Sequence, residues 1–430
     1  MDGYRAYTKH VNSGLGGFLE LTGRDLRLVR GGGGILEDAA GRQYDDWISG
    51  FGSLNLGHNP DAIKDAIRSQ LDSNSPTLYV ENLNPHAGLL AERLVSAAGP
   101  AFETVFFSNS GSEAVEAALK TAIAVTGRSR IVHAEGSYHG TTLGALSCMA
   151  KGPYRQDFEG ALGPTLAVPF GDLGALERAL ESGGVAAFLL EPIQVEAGLR
   201  IASADYLRGA QDLCRSAGAL LIFDEVQTGM GRTGTLFAWQ GVGVAPDLFV
   251  LAKALGGGLL PIGATVTGAG LWAKAFGTFR RSELHNSTFG GNALACRAAL
   301  ATLAIIADPK FLAGVRERAE KLFNDLERAV AGCAMVEGLA WKGLLGGLRL
   351  KEGTHPWLRS ENLGLEELEG EPTSGILFVE RLARRRILVQ LCAHDWSVVR
   401  VEPPLTVDAD ACARFVDAVA EAVRWLEKNA

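Results

Sequence analysis

The stretch Leu-Leu-Ile-Phe-Asp-Glu-Val-Gln, residues 220–227, runs an unbroken apolar segment straight into two carboxylates. Four apolar residues without polar alternation read as a strand buried on both faces, and such strands belong to parallel sheets covered by helices. Further short β-rich runs stand at 104–107, 130–133, 187–190, 248–251 and 264–267. The segment after the first of them carries Val115, Ala118, Leu119, Ala122 and Ile123 at helical spacing, with Gly127 as a stop. The pattern predicts an α/β chain whose mostly parallel central sheet has at least six strands and helices on both faces. In such a sheet ligands sit beyond the carboxyl ends of the strands, which makes Asp224 and its counterparts the residues to examine.

The chain has 430 residues, enough for two or three domains with a large core. Lysine and arginine number 41 against 49 acids, so no basic excess exists to meet a nucleic-acid backbone. At 47% hydrophobic and 21% charged, the composition excludes a disordered chain. The apolar segment 254–273 contains six glycines and Pro261, which would break a lipid-exposed helix, so no membrane span is expected. The first ten residues lack the apolar run of a secretory leader, and a cytoplasmic location is expected. Six scattered cysteines without paired spacing read as buried, reduced thiols, not as metal ligands. Residues 1–60 are expected to pack with a smaller α+β unit at 311–430, around a large domain at 61–310. One long helical region is expected from Asn292 to about residue 330, and the acidic stretch from Glu361 to Glu371 reads as a solvated loop.

Four features gather at strand ends. Ser110, Gly111 and Ser112 precede a helix, where free amides, small hydroxyls and a glycine suit an anion such as a phosphate. The same residues also read as an ordinary serine cap with Glu113 in the first turn. They do not follow the GxxxxGK[ST] pattern, which argues against ATP. Tyr138, His139 and Gly140 form an aromatic turn. Asp224 ends a buried strand, where a helix cap is the plain alternative. Lys253 follows another, where it must snorkel, be paired, or serve chemically. Together they meet the needs of pyridoxal phosphate: donors for the phosphate, a stacking face, an anion for the ring nitrogen and an amine for the aldehyde.

The chain resembles the class III aminotransferases, of the fold-type I pyridoxal phosphate enzymes. The resemblance rests on residues 110–120, 138–140, 191–194, 224–234, 251–258, 287–292 and 400–405, in the family's order. It implies a smaller α+β domain built from both terminal segments. It implies Lys253 as the cofactor's attachment point and proton carrier, Asp224 as partner of the pyridinium nitrogen, Tyr138 stacked on the ring and Gln227 at the phenolic oxygen. It further implies a cofactor site completed by Ser110, Gly111, Ser112, His139, Glu191, Val226 and Ser287. Thr288 would reach the phosphate in a neighbouring subunit, which requires a homodimer and allows a tetramer. Arg400 would grip the carboxylate of a 2-oxo acid, and Glu196 would neutralise Arg400 when an amine substrate is bound.

Lys-Gly-Pro-Tyr-Arg at 151–155, Pro-Ile-Gly-Ala at 261–264 and Val-Glu-Pro-Pro-Leu-Thr at 401–406 are most similar to putrescine, diamine and ornithine-type enzymes. The implied reaction moves an amino group from a primary amine, a diamine such as putrescine or an ω-amino acid, to 2-oxoglutarate or pyruvate. The alternatives are an ornithine or acetylornithine type, a biosynthetic enzyme acting on a larger amine or aldehyde, or an aminomutase, racemase or decarboxylase on the same scaffold. A non-catalytic protein retaining the fold is the rival outside enzymes. Val195 stands where the related motif usually carries glycine, and is expected to restrict Glu196 or reshape its pocket. Trp47, Phe51, Leu54 and Asn55 either line the entrance or pack in the core.

Overall fold

Six consecutive residues of the strand Val185–Leu190 are buried, as a strand covered on both faces requires. In the computed structural model, which describes residues 3–21, 25–353 and 373–429, that strand lies within a seven-stranded sheet. Its strands are β1 (Phe102–Ser108), β2 (Arg130–Ala134), β3 (Thr165–Val168), β4 (Val185–Leu190), β5 (Leu220–Asp224), β6 (Leu248–Leu251) and β7 (Gly263–Gly268), in the order β1-β7-β6-β5-β4-β2-β3. The neighbours from β6 to β3 pair in parallel. β7 runs antiparallel to both β6 and β1. β3 is an edge strand with only its last residue buried.

The helix Gly111–Thr126 packs against the sheet through Ala114, Ala117, Ala118 and Ala122, whose small side chains allow close approach. It ends at Gly127, which takes the left-handed conformation with φ 69° that glycine adopts without strain. Ile123, expected on the buried face, is instead exposed.

The expected long helix after Asn292 is two helices, Ala293–Ile306 and Pro309–Val330, bent by 68° at the break. The break has a local cause. Asp308 caps the second helix by accepting from the Lys310 N–H at 2.8 Å, and Pro309 occupies a first-turn position where no amide hydrogen is needed. No single helix among the described residues is long and apolar enough to cross a membrane.

Two further four-stranded sheets lie outside the central one. The first joins Leu28–Gly32, Ile35–Asp38 and Gln43–Asp46 to Ile387–Leu388, with the last two strands parallel. The second orders Val336–Trp341, Gly346–Leu350, Asp395–Val401 and Gln390–Cys392. Ile387–Leu388 and Gln390–Cys392, close together in the chain, therefore belong to different sheets. Phe323, Phe378 and Phe415 centre the core beneath them, and Trp47 stacks on Phe415 with ring centroids 3.7 Å apart. Trp47 is thus a core residue and lines no entrance. The acidic stretch 361–371 lies outside the described residues.

Candidate active site

The carboxyl ends of β1, β2, β4, β5 and β6 converge on a cavity of about 450 Å³. Ser110, Gly111, Ser112, Tyr138, His139, Glu191, Glu196, Asp224, Val226, Gln227 and Lys253 all line it. Ser287 stands behind the loop after β1, accepting a hydrogen bond from Asn109 Nδ2 at 2.9 Å, and Thr288 is exposed. Neither belongs to the cavity wall formed by the described residues.

At the helix start the cap reading of the serines is met. Ser110 Oγ accepts from the Glu113 N–H at 3.2 Å as a cap, and the Glu113 carboxylate accepts from the Asn109 backbone. The first-turn amides of Gly111 and Ser112 have no carbonyl within the helix to meet, which suits them to an anion. A Cβ at residue 111 would lie 3.0 and 3.1 Å from the Val226 methyls, so the glycine keeps this cradle open.

Asp224 Oδ1 accepts from the Val226 N–H at 3.0 Å, and Oδ2 pairs with His139 Nδ1 at 2.8 Å. His139 Nε2 is buried with no partner among the described residues. Glu191 is fixed by the Tyr138 N–H at 3.1 Å, and burial, with Asp224 nearby, pushes its carboxyl well above the usual range. Glu225, the second carboxylate of the opening stretch, turns away. It accepts from the Ala238 and Trp239 amides at 2.7 and 2.8 Å, and burial raises it to about 7.

Lys253 has φ 46°, a strained backbone for a side-chain-bearing residue, at the turn after β6. Its Nζ donates to Gln227 Oε1 at 2.6 Å. Burial lowers the proton affinity of this amine, opposed by the charges of Glu402, Glu196 and Asp224.

A second chamber of about 650 Å³ adjoins the first at Tyr138, Glu196 and Lys253. Phe51, Tyr154, His394 and Trp396 supply its aromatic walls, with Arg400 beside them. Arg400 and Glu196 are paired through two hydrogen bonds of 2.8 and 3.1 Å, and the Ala393 N–H adds a third to Glu196 at 2.8 Å. Burial alone would raise Glu196, but Arg400 and the Ala393 N–H leave its carboxyl below the usual range. Burial lowers and Glu196 raises the Arg400 guanidinium, with a net rise.

Val195 packs with Ile193, Leu199 and Leu345 in a small apolar cluster and lines neither chamber, contrary to the expectation that it shapes the substrate pocket. Asn55 is structural, donating to the Met230 carbonyl at 2.7 Å and accepting from Arg232. Of the four N-terminal candidates, Phe51 reaches the outer chamber. The sequence reading did not single out Glu402 or His394. Glu402 lies inside the quoted 400–405 motif, so its signal was an acid two residues after Arg400.

An anion cradle, a carboxylate opposite it, an aromatic wall and a buried amine in one cavity define a pyridoxal phosphate site, and the donor set fits that cofactor. Comparison with known proteins agrees. Residues 22–423 match the model of the family described as Aminotransferase class-III. The chain is 38% identical over 441 residues to the putrescine aminotransferase of Pectobacterium atrosepticum, covering 98% of this chain and 88% of that one. It is 36% identical over 448 residues to Aminotransferase PigE of a Serratia species, covering 96% of this chain. The chain spans about half of that relative, 52% of its length. Among solved structures, the ornithine aminotransferase of Toxoplasma gondii superposes with a TM-score of 0.83 at 27% identity, covering 94% of this chain and 92% of that one. An amine transaminase from an uncultivated Pseudomonas species, in its PLP-bound form, gives 0.82 at 29% identity over 93% and 95%. The chain belongs to the class III aminotransferases, and its cofactor is pyridoxal phosphate.

Proposed function

We propose that this transaminase takes the terminal amino group of a primary amine, a diamine such as putrescine or an ω-amino acid, and passes it to 2-oxoglutarate or pyruvate in a ping-pong cycle. The observation that carries this reading is the buried Arg400–Glu196 pair beside Lys253 and between the two chambers. A guanidinium released from Glu196 offers two parallel donors to the carboxylate of a 2-oxo acid. Re-paired with Glu196, it presents no bare charge to an amine substrate. The similarity to a putrescine aminotransferase supports the diamine.

When bound, pyridoxal phosphate supplies the electron sink that lets a proton leave the carbon bearing nitrogen. The residues of this chain do the rest. Gly111 and Ser112 would hold the phosphate through amides and hydroxyl, and Ser110 caps the helix behind them. Asp224, held by His139 and the Val226 amide, would provide the anion for the ring nitrogen. Tyr138 would supply the stacking face, Val226 lies near the cradle, Glu191 braces the Tyr138 turn, and Gln227 would serve the phenolic oxygen. Lys253 Nζ would be the anchoring amine and the proton carrier.

The working unit in this reading is a homodimer in which Thr288 serves the neighbouring subunit's phosphate, with Ser287 beside it in the chain. Leu83, 95% exposed, supports a covered face there, since the adjacent Asn84 donates to the Gly291 carbonyl, close in the chain to Ser287 and Thr288. The large unit is 61–310, with 1–60 and 311–430 forming the small one, and the cytoplasm is the proposed location.

A donor screen against both oxo acids tests the reading, covering putrescine, other diamines, ornithine, lysine, β-alanine and arylalkylamines. Amine alone is expected to convert the cofactor's absorbance to that of its aminated form. Persistence of the original band during turnover would overturn transamination, and preference for ornithine would move the substrate to the ornithine type.

A further inference from the structure

One fully buried acid has no part in the roles above. Glu402 stands just beyond the strand Asp395–Val401 with no exposed surface. Gln227 Nε2 donates to both of its oxygens, at 3.2 and 3.1 Å. Two buried arginines flank it, Arg232 Nε at 3.9 Å from Oε1 and an Arg400 nitrogen at 3.9 Å from Oε2. On another side lies Gly52 at φ 78°, where a Cβ would come within 2.5 Å of Glu402 Oε1. The carboxylate is boxed in, and its position is set by the fold.

The consequence falls on Gln227. A primary amide has a donor end and an acceptor end of nearly the same shape, and only its hydrogen-bond partners decide which way it faces. With Nε2 committed to an anion, Oε1 is left for Lys253 Nζ, which donates to it at 2.6 Å. Without the anion, the amide is free to turn and oppose an N–H to the ammonium.

We propose that Glu402 is a positioning residue, which by binding Gln227 Nε2 fixes the amide oxygen on Lys253 and so holds and aims the amine that receives the cofactor. This rests on the reading of Lys253 as the anchoring amine. The charges around Lys253 agree with it. Burial is the largest influence on the amine and favours its neutral form; Glu402 is the strongest charge opposing that, ahead of Glu196, while Arg400 adds to the fall and Asp224 counters it. Glu191 faces the same site, held high by burial. A carboxamide in place of Glu402 removes the charge and, having a donor end of its own, no longer obliges Gln227 to turn Nε2 toward it.

The test uses cofactor-free protein labelled with acetic anhydride over a pH series, with acetylation of the Lys253 peptide quantified by mass spectrometry. Glu402→Gln is expected to shift the labelling midpoint to lower pH and to speed acetylation about five- to tenfold below the wild-type midpoint, as for loss of a nearby opposite charge. Glu402→Asp, which keeps the charge, is expected to return the midpoint toward wild type. Gln227→Leu, which breaks the bridge and leaves Glu402 in place, is expected to lower the midpoint too, and keeps the test open should Glu402→Gln not fold. Circular dichroism identifies the folded variants. Midpoints unchanged from wild type in folded Glu402→Gln or Gln227→Leu would overturn the role of Glu402 without touching transamination, because labelling is read without turnover.

Discussion

Replacing Glu196 with alanine is expected to separate the two half-reactions. In the native chain Arg400 is 3% exposed, and Glu196 satisfies two of its nitrogens at 2.8 and 3.1 Å. Its other contacts include the Leu391 carbonyl at 3.3 Å, Glu402 at 3.9 Å and the Phe51 ring, whose centroid is 5.3 Å from the guanidinium carbon. Without Glu196, an amine substrate has to lie against a guanidinium it cannot satisfy. A hydrogen bond to a charged group is worth about 1.5–3 kcal/mol. One such bond left unmade lowers kcat/KM of the amine half-reaction roughly 10- to 150-fold. The carboxylate of a 2-oxo acid takes the place of Glu196, so that half-reaction is expected to change by less than about threefold. Arg400→Ala should show the reverse, losing the oxo-acid half-reaction by a similar factor. Stopped-flow absorbance of the cofactor, with amine alone or oxo acid alone, measures each half separately. Breaking a buried pair costs about 3–5 kcal/mol of stability, so melting curves must first establish that the variants are folded at the assay temperature. Equal losses in both halves, in both variants, would refute a switch.

Lys253→Ala is expected to abolish turnover and the borohydride-trapped mass adduct; activity retained with no adduct would reject the anchoring role. Glu225 holds its proton up to about 7 in the folded chain, against an ordinary 4.5, so the native state binds more protons across that window and stability falls as pH rises through it. The total is about 3 kcal/mol at roughly 1.4 kcal/mol per unit. Glu225→Gln should flatten the dependence of the melting temperature between pH 4.5 and pH 7, and an unchanged slope would count against the cause given. Gly111→Ala puts a methyl 3.0 Å from Val226, and cofactor retention measured by dialysis should weaken about tenfold through loss of close backbone approach. Asp308→Ala removes the cap of Pro309–Val330 and should cost about 1 kcal/mol in chemical unfolding.

Most of the large sheet was legible because its strands are covered on both faces and their apolar runs are continuous, as at 187–190 and 220–223. The edge strand β3 escaped because it is only four residues long, stops at Pro169 and buries only Val168, so little marks it as a covered strand. The cavity residues were legible as a set, since each follows a strand of one parallel sheet and so had to share one end of it. Side-chain direction was not. Asp224 and Glu225 are adjacent, yet one faces the cavity and the other caps a short helix, a choice made by Ala238 and Trp239 far along the chain. The same holds for Glu402, whose importance comes from Gln227, Arg232 and Gly52 meeting it from distant segments. Val195 shows the converse: adjacency to Glu196 suggested a pocket residue, and packing on Leu345 turned it inward.

The parallel pairing of Gln43–Asp46 with Ile387–Leu388 joins segments from opposite ends of the sequence. Closing so long a loop is entropically costly and kinetically slow, which delays contacts of this kind. During synthesis, the early hairpin must wait with an unpaired border until Ile387–Leu388 have left the ribosome. The site beside it inherits that schedule, for Phe51 comes just after the waiting border, while Arg400 and Glu402 come just after the strand that completes it. Competence to bind substrate therefore waits on that same distant segment.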